Sequence, residues 1–300
     1  MAVSHGHPGA VVLQVQLATL GGQDSVAMSL ARALENVTAI PLVVEWGATI
    51  EYALQRRAGR LRDTWKAVAL MERLGSSRGS QAAIGQSLYQ EVHDRAWFLG
   101  DLPGAQRLLD SAVRRFPQDS IPPRDRYGED YVMAAFATNR ADLVREAVNG
   151  IRRDDPHRLG LIGGSLALPA YESWLATLEG RHEDAIAAAH RADVGTRVKA
   201  SLARTAKAYD RAGQTDSARV YYERFLSSTS IDMIIWAEGV NLAHARKRLA
   251  EMHEARSEWS KAYDLYAALV HQWRNADPEL QPMVRAFRAR MTALERRRAQ

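Results

Sequence analysis

The stretch AYDRAGQTDSARVYYERF, Ala208 to Phe225, decides the fold. Its landmarks, Tyr209, Gly213, Ala218, Tyr222 and Phe225, are spaced as two short antiparallel helices joined by a tight turn require. A helix leaving through such a turn needs a residue in the left-handed region just past its end, and glycine adopts that conformation without a side-chain penalty. Five residues later a small side chain is needed, because there the two helices approach most closely and a larger one would hold them apart. Gly213 and Ala218 form that pair.

The same frame fits outward in both directions: Gly22 with Ala27, Gly59 with Thr64, Gly100 with Ala105, Asn139 with Val144, Gly180 with Ala185, and Ser257 with Ala262. Successive turn residues lie about 33 to 44 positions apart, the range of helical-hairpin repeats. Beyond the turns, Asp24, Asp63, Asp101 and Asp216 are expected to start the second helices by accepting from their unpaired first-turn amides. Apolar residues recur at spacings of three and four, as in Ala262, Leu265, Tyr266 and Leu269, and proline collects in connectors such as Pro122 and Pro123. The expectation is an all-α chain.

Two segments carry a family resemblance. Leu249, Ala250, His253, Ser257, Ala262, Tyr266 and Leu269, and likewise Ala96, Gly100, Ala105, Leu109, Ala112 and Pro117, resemble the tetratricopeptide repeat. That pattern has a large and a small residue in the first helix, a glycine turn, then alanine, aromatic and alanine in the second. The resemblance implies a right-handed α-solenoid of about seven helix-turn-helix hairpins. Residues 1–8 would be a flexible N-terminus, 9–276 the array, and 277–300 a C-terminal capping helix and basic tail. Arg248 to Pro282 is similar to the final repeats of arrays that follow bacterial serine/threonine kinase or transcriptional-regulator domains. The chain has no glycine-rich nucleotide loop, His-Arg-Asp loop or Asp-Phe-Gly site, so kinase activity does not follow. The implied setting is a larger bacterial signalling protein, with Met1 fitting a truncated start as well as a natural one.

Composition agrees with this. At 300 residues and 46% hydrophobic, the chain can build a continuous core. Without cysteine it has neither disulfides nor thiolate chemistry, which is compatible with a reducing compartment. The start MAVSHGHPGA is not a signal peptide, and no apolar run reaches about 18 residues, so a cytoplasmic protein without a membrane segment is expected. The net charge of +5 owes much to Arg285, Arg288, Arg290, Arg296, Arg297 and Arg298. These would face water on a terminal helix whose Val284, Phe287, Met291 and Leu294 cover the end of the core. Nucleic acid is the alternative partner for that charge, although no nucleic-acid-binding motif accompanies it.

The sequence contains little that points to catalysis. His182 and His190 are eight apart, His253 is followed by Glu254, and no His-Glu-x-x-His pair occurs. His5 and His7 stand in the N-terminal tail. GLIGGS, Gly160 to Ser165, lacks the lysine and the preceding strand of a phosphate loop and reads as a connector. The pairs Asp154–Asp155 and Glu129–Asp130 are sequence neighbours, which point in different directions on a helix. No catalytic residue, metal or cofactor is expected.

The resemblance implies an inner wall lined by first-helix residues at set distances before each turn. Those places hold Trp46 and Arg56, Asp94 and Trp97, Met133 and Phe136, Trp174, Lys207 and Asp210, and Lys247, Glu251 and Glu254. Trp46, Trp97, Phe136 and Trp174 would make a concave groove for an extended or helical segment of a protein partner, with the charges setting register. The alternative is that some of these rings pack between neighbouring hairpins, since one residue of register error turns a helical side chain by about 100°. Trp259 and Trp273 are assigned to packing or to the C-terminal connector. The functional expectation is a non-catalytic protein-interaction or regulatory module. A nucleic-acid-binding solenoid is the second possibility and an enzyme the third.

Overall fold

The backbone reverses at residues with positive φ. The computed structural model describes residues 8–37, 40–77, 79, 85–123, 125–158, 167–192, 199–229 and 234–298. In it, Gly22, Gly59, Gly100, Asn139, Gly180, Gly213 and Ser257 have φ between 59° and 74°, and each separates two helices. The pairs are α1 (Pro8–Leu20) with α2 (Asp24–Glu35), α3 (Pro41–Arg57) with α4 (Leu61–Ser77), and α5 (Gln86–Trp97) with α6 (Leu102–Arg115). They continue with α7 (Glu129–Ala137) and α8 (Ala141–Asp154), then α9 (Ala167–Leu178) and α10 (His182–Arg191). The last are α11 (Lys199–Arg211) with α12 (Thr215–Ser227), and α13 (Ile234–Ala255) with α14 (Trp259–Gln272), before a final helix, α15 (Gln281–Arg298). Both members of every pair pack together. Apart from two short 3-10 turns, these helices are the only regular elements, and no strand occurs among the described residues.

Six of the seven turns share one hydrogen bond. The amide just past the left-handed residue donates to a carbonyl five residues back: Gln23 to Ala18, Arg60 to Gln55, Arg140 to Ala135, Arg181 to Ala176, Gln214 to Tyr209 and Glu258 to His253, at 2.8–3.0 Å. This closes the helix end by satisfying a carbonyl that has lost its helical partner. At Gly100 the bond reaches one residue further, from Asp101 to Arg95. Five residues beyond the turns, Ala27, Thr64, Ala105, Val144, Ala185, Ala218 and Ala262 are no more than 1% exposed.

The capping expectation needs correction at three of four sites. Only Asp101 accepts a first-turn amide, from Gly104 at 3.0 Å. Asp24 is already the first residue of α2, and Asp63 and Asp216 lie inside the first turns of α4 and α12. The tight left-handed closure leaves one extended-side residue before the next helix, so aspartates placed further on overshoot the cap position. Pro8, expected in a flexible tail, is the first residue of α1. Residues 1–7, with His5 and His7, and the segment Gly160 to Ser165 lie outside the described residues.

Second helices also pack on the first helix of the following hairpin, as α2 does on α3, α10 on α11 and α12 on α13. Contacts run from α5 to α7, α9, α11 and α13 in turn, and α13 then packs on α3. The chain therefore meets itself. Gly239 of α13 lies so near α3 that a Cβ there would stand 2.9 Å from the Ala53 carbonyl oxygen. Arg57 pairs with Glu238 at 2.9 Å, Asp277 donates its amide to Gly59 at 3.0 Å, and Gln272 donates to the Arg57 carbonyl at 2.7 Å. Trp273, Ala276 and Leu280 press on Gly59 from above the turn. At the C-terminus, α15 lies on α14 and buries Val284, Phe287 and Leu294, with Phe287 stacked 5.7 Å from Tyr266. No helix among the described residues is long and apolar enough to cross a membrane.

Candidate functional site

With α13 packed on α3, the first helices of the third to seventh hairpins face a common recess. Trp97 of α5, Phe136 of α7, Trp174 and Thr177 of α9, Arg204, Lys207, Asp210 and Arg211 of α11, and His244 and Arg248 of α13 line a cavity of about 300 Å³, joined by Tyr222 of α12. A void of about 50 Å³ adjoins it, sharing Trp97, Phe136, Trp174, Arg204 and Lys207 and adding Met133 and Asn241. Local helix geometry explains the grouping. Arg204, Lys207 and Arg211 follow at steps of three and four, and His244 and Arg248 at four, so each set occupies one face of its helix.

The aromatic residues are engaged with one another. Phe136 stacks on Trp174 at 5.6 Å, Trp174 on Tyr171 at 5.6 Å, and Trp97 on the His244 ring at 4.8 Å. The Lys207 ammonium stands 4.3 Å from the centre of the Trp97 ring and donates to Asn241 Oδ1 at 2.6 Å. The Asp210 carboxylate accepts from Arg248 Nε at 2.9 Å and Nη2 at 2.8 Å, a two-pronged pair that fixes both side chains.

Burial sets the protonation states. It pushes Lys207 down to about 7, helped by the charges of Arg204, Arg56 and Arg211. Burial likewise takes His244 well below the usual imidazole range, with Lys207 the next cause, and takes His93 down to about 4, with Arg56 assisting. Both imidazoles are neutral at pH 7. Behind the Trp97 wall, Arg56 and Asp94 pair at 2.5 Å with both side chains fully buried, and Arg56 also bonds Tyr52, Gln90 and His93.

Six of the twelve residues expected on the inner wall meet here: Trp97, Met133, Phe136, Trp174, Lys207 and Asp210. The other six lie elsewhere. Arg56, expected to face a partner, is sealed in its pair with Asp94, with α13 packed on α3 and the α5 side chains of Gln90 and His93 bonded to its guanidinium. Lys247 lies outside the cavity wall and pairs with Glu251 at 2.7 Å, while Glu254 pairs with Arg290 at 2.6 Å on the C-terminal side. Trp46 is 39% exposed and belongs to an apolar surface with Leu42 and Ile40 near the start of α3. The inner residues of α5, α7, α9, α11 and α13 thus line one recess, partly open to solvent, beside the contact of α13 with α3.

Sequence reasoning did not single out Arg204, Arg211, His244, Arg248 or Tyr222. The three-and-four spacing of Arg204, Lys207 and Arg211 was a signal that could have found the first two. Among the described residues no group of three or more His, Asp or Glu is arranged to hold a metal ion. The terminal arginines are spread over α15, with Arg297 over the Trp259 ring at 4.9 Å and Arg298 over Tyr263 at 5.1 Å. No family model and no curated protein matches the chain.

Proposed function

We propose that this chain is a non-catalytic binding module, a right-handed tetratricopeptide-like array whose second and seventh hairpins meet, and that its ligand enters the central chamber. The observation that carries this reading is the convergence of Trp97, Phe136, Trp174 and Lys207, from four different hairpins, on one cavity of about 300 Å³. That volume is at the lower end of small-molecule sites and leaves little room for a peptide. A non-catalytic role is supported by the state of the polar groups in the wall. Ser173 and Thr177 donate to backbone carbonyls, Asp210 is held by Arg248, and the Tyr222 hydroxyl is engaged with Asp210 at 3.4 Å and with His244 Nε2 at 3.3 Å. A sensing or regulatory domain of a larger bacterial signalling protein, acting in the cytoplasm, is the setting proposed for it.

A second reading, docking of a protein segment, is favoured by one observation. Leu13, Leu17, Leu20, Val26, Leu42 and Trp46 are all at least 39% exposed on the first three helices. Large exposed apolar side chains concentrated in one part of a chain are a feature of interaction surfaces.

A thermal-shift screen of small molecules and of peptides separates the two readings. A ligand at one hundred times its Kd adds roughly 2.7 kcal/mol of stability. The chamber reading expects a hit that survives Trp46→Ala and disappears in Thr177→Trp, which fills the cavity. A hit with the opposite pattern would move the function to the first hairpin.

A further inference from the structure

The chamber's charge is lopsided. Arg204, Lys207, Arg211 and Arg248 line it with one carboxylate, Asp210; Arg248 holds both of its oxygens and also pairs with Glu251 outside the wall. Lys207 makes no ion pair among the described residues. Its ammonium rests on a neutral amide oxygen and on the Trp97 ring, partly buried and at the wall of both voids. A desolvated cation without a counter-charge is costly, and the cost falls when an anion comes within contact distance. Beside it, Trp97 and the stacked Phe136–Trp174 pair offer broad apolar surface.

We propose that the chamber takes a small organic anion with a flat apolar group, whose carboxylate or phosphate is received by Lys207. This rests on the chamber being the binding site. The anionic end follows from the excess of cations in the wall, and the flat end from the aromatic side chains. A wholly inorganic anion would leave the aromatic wall without a partner, and a neutral ring would leave Lys207 without one.

Protonation gives the proposal a signature. The cations acting on Lys207 are Arg204 and Arg211 of its own helix and Arg56 of α3, with Arg248 of α13 in the same wall. Nearby carboxylates are committed: Asp94 to Arg56 and Asp210 to Arg248, with Glu129 of α7 at the far wall of the smaller void. His93 and His244 are neutral at pH 7. The empty chamber thus holds Lys207 charged below about pH 7 and increasingly neutral above it. A bound anion favours the charged form, so binding takes up a proton. Affinity for an anion should be full below pH 7 and fall as pH rises, towards tenfold per unit at the limit.

The test uses two dyes with one ring system, anionic anilinonaphthalene sulfonate and neutral phenylnaphthylamine, followed by fluorescence titration. Competition by phenyl phosphate and by benzoate distinguishes phosphate from carboxylate. Lys207→Met is expected to weaken the anionic dye by tenfold or more and leave the neutral dye within about twofold. Lys207→Arg should retain the anionic dye and flatten its pH dependence between about pH 6 and pH 8, because guanidinium stays charged there. Thr177→Trp should lose both dyes. Unchanged anionic-dye affinity in Lys207→Met, with both dyes lost in Thr177→Trp, would overturn the ligand class and leave the chamber standing. Both dyes bound normally by Thr177→Trp would overturn the chamber reading itself. If Lys207→Met does not fold, as judged by circular dichroism, the arginine variant decides: a pH profile that falls as in the wild type overturns the proposal.

Discussion

The two ends of the helical row are finished in different ways. At the C-terminal end α15 lies along α14, burying Val284, Phe287 and Leu294 and turning Arg285, Arg288 and Arg296 to water. At the N-terminal end α1, PGAVVLQVQLATL, has no charged residue and leaves Leu13 45% and Leu17 51% exposed. A row of hairpins ends in two apolar faces, since each hairpin covers only its neighbours. An amphipathic stripe with charges on its outer face marks the C-terminal end, whereas α1 buries Val11, Val15 and Ala18 against its neighbours and carries leucines on its outer face.

That contrast can be broken most directly at the covered end. Phe287→Ala should cost about 3–5 kcal/mol, as large aromatic truncations in packed cores do. Urea unfolding would measure it, and a loss under about 1 kcal/mol would mean that α15 is not part of the core.

The seam where the two halves of the chain meet comes next. Gly213→Val strains only a left-handed backbone, because nothing stands within 4 Å of the added Cβ, and should cost about 1–2 kcal/mol. At Gly59 the added Cβ would also stand 2.8 Å from Ala276 Cβ and 3.0 Å from Leu280 Cδ1. Gly59→Val should therefore cost about 1–3 kcal/mol more than Gly213→Val. Equal melting temperatures for the two variants would place the C-terminal segment away from the Gly59 turn.

A smaller effect is expected at the arginines of α15. Replacing Arg296, Arg297 and Arg298 by glutamine removes two exposed cation–π contacts, and should cost no more than about 1 kcal/mol. Solubility and salt dependence should change more than stability, which melts at low and high ionic strength would reveal.

Least of all is expected from Leu17→Ser at the uncovered end. Stability should stay within about 0.5 kcal/mol, in contrast to Phe287→Ala, while any self-association through this face should weaken. A large destabilisation, measured in the same urea titration, would show that α1 is covered in solution and would remove the contrast between the ends.

Much of the secondary structure was legible because its signals are local. A residue that tolerates φ near +60° and a small residue five positions later fall within one helical turn of each other in space, so no distant partner is needed to recognise them. Asn139 and Ser257 were readable only by register, since neither has the conformational freedom of glycine. Of the site, the position of Lys207 in the helix was legible, and so were Trp97, Phe136 and Trp174. Their setting was not. Arg56 and Asp94, three and six residues before their turns, were both expected on the inner wall, yet they form a sealed ion pair beside the contact of α13 with α3.

The sequence by itself determined the helices, the seven reversals and the covered C-terminal end, because turn conformation, close helix approach and amphipathic spacing act over a few residues. Only the tertiary structure decided that the row closes. Gly59 meets Asp277, and Ala53 meets Gly239, across roughly two hundred residues of chain. Such contacts depend on the summed curvature of all the intervening hairpins, a quantity that no local pattern encodes. That closure gathers the inner residues of five first helices around one recess and leaves Lys207 facing it without a counter-charge among the described residues.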